Sequence, residues 1–190
     1  VWARTMQPQA SNGFGAFLLP EVGDEVVVDF CQQDPSQPVV LGSLYSSHRP
    51  PPYAPEDAND LKALVTRCRH KLEFDEQHRS ITLTTPANNR VVLSDEGASV
   101  TLSDQHGSRV ELGASGVSID TPRDLRIKAG GAIRIEAVGE TSITTQADLS
   151  CSGLNIACAA QVGFSAKGAA SAELSAAGQT VVKGGLVLIN

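Results

Sequence analysis

Asp124-Leu125-Arg126-Ile127-Lys128-Ala129-Gly130-Gly131-Ala132-Ile133-Arg134-Ile135-Glu136-Ala137-Val138-Gly139-Glu140-Thr141-Ser142-Ile143 is the stretch that decides the fold. Two apolar or β-branched positions, separated by one residue, recur in it every eight residues as Leu125/Ile127, Ile133/Ile135 and Thr141/Ile143. Alternation inside each pair is the pattern of a short strand with one buried face. The pattern continues in Leu149/Cys151, loses one residue before Ile156/Cys158, and resumes as Phe164/Ala166, Ala172/Leu174 and Thr180/Val182. Gly131, Gly139, Gly153, Gly168, Gly178 and Gly184 fall between pairs, where a chain turning a corner needs small residues. Upstream, Val91/Leu93, Val100/Leu102, Val110/Leu112 and Val117/Ile119 show the same alternation before the eight-residue spacing sets in.

A strand with two inward residues buries too little to stand alone, so these repeats must stack or wrap around partners. Single-chain β-helices use rungs of about eighteen residues or more, or Gly- and Asp-rich nonads, and the octads match neither. Three chains, each giving one strand to each face of a triangular prism, satisfy both burial and strand edges. The predicted fold is therefore all-β, ending in an intertwined trimeric, triple-stranded β-helix. Its core is expected to hold Val117, Ile119, Leu125, Ile127, Ile133, Ile135, Ile143, Leu149, Cys151, Ile156, Cys158, Phe164, Leu174 and Val182. At about 4.7 Å of rise per octad, the shaft reaches on the order of 40 Å. Small inward residues, Ala166, Ala172 and Thr180, narrow its far end.

In front of this region, residues 14–19, 26–30 and 39–45 are predicted strands, punctuated by Pro20-Glu21-Val22-Gly23-Asp24 and Gln33-Asp34-Pro35-Ser36-Gln37-Pro38. Three strands leave a barrel incomplete, because a small Greek-key barrel of the OB type needs about five. Missing strands are expected upstream, the more so because the chain opens Val1-Trp2-Ala3-Arg4 without a Met. A stiff linker follows in Arg49-Pro50-Pro51-Pro52-Tyr53-Ala54-Pro55. The expected division is an OB-like part over 1–48, a proline-rich linker with neck strands over 49–90, and the β-helix over 91–190.

The net charge of -6 argues against a nucleic-acid partner, which would select a basic patch. From residue 141 onward the only charges are Asp148, Lys167, Glu173 and Lys183, which suits either a smooth surface for passage through something or small outward residues fitting a tight corner. Cys31, Cys68, Cys151 and Cys158 show no CxxC spacing and no nearby His at zinc-ligand distance, so neither a zinc site nor a disulfide framework is indicated along the chain. No secretion signal and no apolar run of about 18 residues is visible.

Gly13-Phe14-Gly15-Ala16-Phe17-Leu18-Leu19-Pro20-Glu21-Val22-Gly23-Asp24-Glu25-Val26 and Asp34-Pro35-Ser36-Gln37-Pro38-Val39-Val40-Leu41-Gly42-Ser43-Leu44-Tyr45 resemble the OB-domain signature of VgrG-type spike proteins of type VI secretion and related contractile injection systems, which resemble the phage baseplate spike. The likeness continues through Asn59-Asp60-Leu61-Lys62 and Leu72-Glu73-Phe74-Asp75-Glu76 to Lys183-Gly184-Gly185-Leu186-Val187-Leu188-Ile189-Asn190. The resemblance implies a homotrimeric, membrane-puncturing spike with an upstream base that meets baseplate and tube proteins. It also implies a PAAR-repeat tip protein or effector seated on Val187, Leu188, Ile189 and Asn190, and transient contact with a target membrane. Such a protein is assembled in the producing cell's cytoplasm and ejected by contraction. The chain departs from phage spike tips in lacking HxH metal-binding pairs.

Enzyme signatures are not found: there is no GxSxG, Walker loop, HExxH or Rossmann fingerprint. His48, His70, His78 and His106 lack a repeated carboxylate or Ser partner and read as solvated or structural. The pairs Asp24/Glu25 and Asp75/Glu76 point to opposite faces of a strand, which disfavours shared acid-base work. No cofactor, metal or catalysis is expected. The competing expectation is a phage tail fibre that cleaves polysaccharide with Asp120, Asp124 and Glu136, or one that binds a receptor, for which the C-terminal third offers only Phe164 as an aromatic.

Overall fold

The computed structural model describes residues 2–188, and apart from one 3-10 turn at Cys31–Gln33 every regular element in them is a β-strand. The chain divides into a first unit ending at Gly130 and a second beginning at Gly131. The first unit opens with a three-stranded sheet of β1 (Arg4–Thr5), β2 (Glu25–Phe30) and β3 (Pro38–Leu44), in the order β1-β3-β2. β2 and β3 form an antiparallel hairpin with a register shift between Val27 and Val28, and β1 joins β3 in parallel. The connection is set by Asp34, whose Oδ1 accepts the Ser36 N–H at 2.9 Å and the Ser36 hydroxyl at 2.8 Å. Those donors hold its carboxyl below the ordinary carboxylate value.

Residues 14–19, expected as a strand, belong to none. Their backbone is held instead by the Ala16 N–H donating to Gln9 O at 2.9 Å and by the Gln7 side-chain amide, which donates to Leu18 O at 2.9 Å. A side-chain amide has thus taken the place of a ladder partner. Gly15 adopts φ +140°, and a Cβ there would lie 2.4 Å from Gln9 O, so only glycine permits this crossing.

Seven strands then form one antiparallel meander: β4 (Leu61–Val65), β5 (Lys71–Asp75), β6 (Ser80–Thr84), β7 (Arg90–Ser94), β8 (Ser99–Ser103), β9 (Arg109–Gly113) and β10 (Gly116–Asp120). Its turns repeat. After β4, β6 and β8, the side chains of Thr66, Thr85 and Asp104 accept the backbone N–H of His70 at 3.1 Å, Asn89 at 3.1 Å and Ser108 at 2.8 Å. After β5 and β7, Asp75 accepts from the His78 N–H at 2.9 Å and Ser94 from the Gly97 N–H at 2.8 Å. Left-handed backbone recurs at Arg69, Asn88 and Gly107, and again at Arg79 and Ala98. Thr66, Thr85 and Asp104 are each nineteen residues apart, as are the members of the other sets, so the meander is a nineteen-residue hairpin repeat. Residue 91, the expected start of the β-helix, lies inside this sheet on β7, which pairs with β6 and β8 of the same chain.

Beyond Asp120 the backbone changes character. Bends at 122–123, 130–131, 138–139 and 146–147 separate extended segments of six residues each, 124–129, 132–137, 140–145 and 148–153. The next corner is Leu154 alone, and two-residue bends resume at 161–162, 169–170, 177–178 and 185–186. Among the described residues, no backbone-to-backbone hydrogen bond joins any part of 121–188 to another residue.

Candidate functional site

The register of the meander gathers its apolar side chains into two columns on one face. One runs Phe74, Ile81, Leu93, Val100, Leu112, Val117; the other runs Leu64, Leu72, Leu83, Val91, Leu102, Val110, Ile119. The central column of the opposite face is Ala63, Glu73, Thr82, Val92, Thr101, Glu111 and Ser118, which is mostly polar. A sheet patterned this way buries its apolar face against something. Within the first unit nothing does so: among its described residues no hydrophobic side chain is buried, and the polar Thr82 is more enclosed than Ile81 or Leu83 beside it. The chain presents 17463 Å² of accessible surface, about twice the ~8,700 Å² expected of a folded monomer of its 19.9 kDa.

The octad residues are presented just as openly. Leu125, Ile133, Leu149, Ile156 and Phe164 occupy the second place of their six-residue segments. Ile127, Ile135, Ile143, Cys151, Cys158, Leu174 and Val182 occupy the fourth. All are exposed, Ile135 to 77%. Val117 and Ile119 belong instead to β10, at the end of the two meander columns. Val187 and Leu188 are exposed, whereas Ile189 and Asn190, named with them as a tip-protein contact, lie outside the described residues.

Polar contacts in the first unit tie the linker and the first sheet to the meander. Arg49 pairs with Asp24, and Gly23 makes room for it, since a Cβ there would lie 2.6 Å from Arg49 Nη2. Arg67, in the first meander turn, reaches Glu21 at 3.1 Å. Tyr53 of the proline-rich linker donates to Glu73, and Lys71 Nζ stands 5.3 Å from the centre of its ring. Partial burial, then the Glu73 carboxylate, pushes the Tyr53 phenol above its ordinary value. His78 Nδ1 lies 2.9 Å from Asp75 Oδ2, and that hydrogen bond raises the imidazole's pKa. Asp75 is lowered in turn, first by the His78 backbone N–H.

These contacts join elements of the first unit to one another. Asp120 and Asp124 line one shallow depression with Asp104 and Arg109, whereas Glu136 belongs to the second unit. Among the described residues no three of His, Cys, Asp and Glu gather to hold a metal ion, and no helix is long and apolar enough to cross a membrane. In the sequence the hairpin repeat is marked only by Thr or Asp at 66, 85 and 104 and by the uneven nine- and ten-residue spacing of the pairs before Val117.

Residues 1–45 match the family of type VI secretion system/phage-baseplate injector OB domains. Over 52 residues, 27% of the chain, the sequence is 46% identical to the type VI secretion system spike protein VgrG4b of Pseudomonas aeruginosa. Over that stretch the chain is similar to a VgrG spike protein. It is also 33% identical over 81 residues, 40% of the chain, to the type VI secretion system spike protein VgrG3 of Vibrio cholerae. A further match, 32% identical over 75 residues and 40% of the chain, is to the actin cross-linking toxin VgrG1 of Vibrio cholerae. The matches occupy only 6%, 8% and 7% of these VgrG relatives' own lengths.

Proposed function

We propose that three copies of this chain form the spike of a contractile injection system of the type VI secretion kind, and that its work is mechanical rather than enzymatic. One observation carries the reading. Residues 121–188 are extended segments turning at eight-residue intervals apart from the shortened corner at Leu154, with apolar residues at fixed places and, among the described residues, no backbone partner. Backbone donors and acceptors of that kind must be satisfied by other chains or by water. A threefold prism supplies the partners, buries both places of every segment, and gives the apolar columns of the meander a second and third sheet to meet. In this reading the first 45 residues are the injector OB part, the meander over 61–120 is a neck, and the intertwined shaft starts after Asp120 rather than at residue 91.

Contraction of a sheath would supply the force, and the stiff trimer would concentrate it on a narrow end that carries a PAAR-repeat tip protein or an effector. Baseplate and tube proteins would meet the opposite end, and the assembled spike would be ejected through a target envelope. A polysaccharide-cleaving fibre draws no support from the side chains, because its proposed carboxylates do not form one cluster within a unit. The deciding measurement is the solution mass by light scattering at micromolar concentration. Three chains per particle are expected; one chain per particle overturns the proposal.

A further inference from the structure

Cys151 and Cys158 are both the fourth residue of their extended segments, 148–153 and 155–160, and these two segments are successive. The single-residue corner at Leu154 restores the phase between them, so the two thiols hold equivalent places despite being seven rather than eight residues apart. Both are free and exposed in the chain. No other pair of successive segments carries a thiol at this place in both.

From this register, and resting on the trimeric assembly above, we infer that Cys151 of each copy is poised to form a disulfide with Cys158 of a neighbouring copy, locking the three chains together. Each chain turns onto the next face at each corner. The strand stacked on segment 148–153 of one copy is therefore segment 155–160 of a neighbour, in parallel and in register. Stacked strands lie about 4.8 Å apart, inside the Cα separation of about 4.4–6.8 Å that a disulfide spans. Threefold symmetry makes three such pairs, which close a ring through all three chains. The thiols remain reduced in a glutathione-buffered compartment and are oxidised outside it. Each bond forms as two thiols give up two electrons and two protons to an oxidant, such as a low-molecular-weight disulfide, that is reduced to two thiols.

The test uses the full chain carrying Cys31→Ser and Cys68→Ser, treated with the small oxidant diamide, which takes up the two electrons and two protons as a hydrazine. Non-reducing denaturing electrophoresis and light scattering are then read side by side. A dithiothreitol-sensitive band of three chains, abolished by Cys151→Ser alone and by Cys158→Ser alone, is the expected result. A trimeric mass with no covalent product overturns the disulfide while leaving the spike reading intact. A covalent product of two chains that persists in either single variant indicates like-with-like pairing and also overturns it. A monomeric mass overturns the assembly on which it rests.

Discussion

At the residue scale, exposure and pattern give opposite expectations for one substitution. Ile135 is 77% exposed in the chain, so Ile135→Asp is harmless if the chain acts alone. In the proposed prism it places three carboxylates at one level of a narrow apolar interior, where an unpaired charge costs several kcal/mol even after relaxation, roughly 3–5 by analogy with broken buried pairs. Loss of the three-chain mass and a lower thermal midpoint are expected; an unchanged midpoint refutes the inward assignment. Asp75 and His78 supply a second prediction. The raised His78 contributes stability below its ordinary 6.5 that is lost as pH rises through its folded value. The lowered Asp75 contributes above its ordinary 3.8 and loses that contribution as pH falls through its folded value. The turn is therefore most favoured between those two values, and wild type should lose urea resistance on going from about pH 5.5 to 8 by slightly more than His78→Ala does, since exposed pairs count for little. Equal losses in the two proteins would remove the ion pair from the account.

At the element scale, the side-chain bonds that close the meander turns predict a graded loss. Thr85→Val keeps the shape and removes the oxygen that accepts the Asn89 N–H at 3.1 Å, at an expected cost of about 1 kcal/mol in denaturant unfolding. No change would mean water takes over the bond. The same elements show what the sequence makes legible. Octads are readable because corner and pair positions share one period, and even the shortened corner at Leu154 appears as a phase slip before Ile156. The strand expected over 14–19 does not form, because apolar alternation does not reveal that Gln7 satisfies Leu18 locally. Val91/Leu93 through Val110/Leu112 share the alternation of the octads but not their period, and their uneven spacing leaves room for the four- and five-residue turns that fold hairpins within one chain. Pairing partners, unlike pair positions, depend on turn chemistry at Thr66, Ser94 and Asp104, and a one-residue change in turn length decides them.

At the scale of the whole molecule, the two ends of the chain are expected to have separable roles. Ending the chain after Gly178 removes Thr180/Val182 and everything from Val187 onward; tip-protein binding should disappear in a pull-down while the three-chain mass persists. Retained binding would move the tip contact elsewhere. The meander has a further consequence, which concerns time. Its pairings are short in sequence, the widest being Leu61 with Asp75 and Ser80 with Ser94, and contacts of such low order form quickly and inside one chain. Among the described residues the segments after Asp120 have no such contacts to make, so in the proposed trimer their ordering would wait for encounters between chains. In that assembly, three meanders meeting through their apolar columns would hold three tails at high effective concentration and with a common starting point. Refolding should accordingly show a fast phase indifferent to protein concentration and a slower one that accelerates with it. A slow phase unchanged on tenfold dilution would show that the shaft orders without its neighbours.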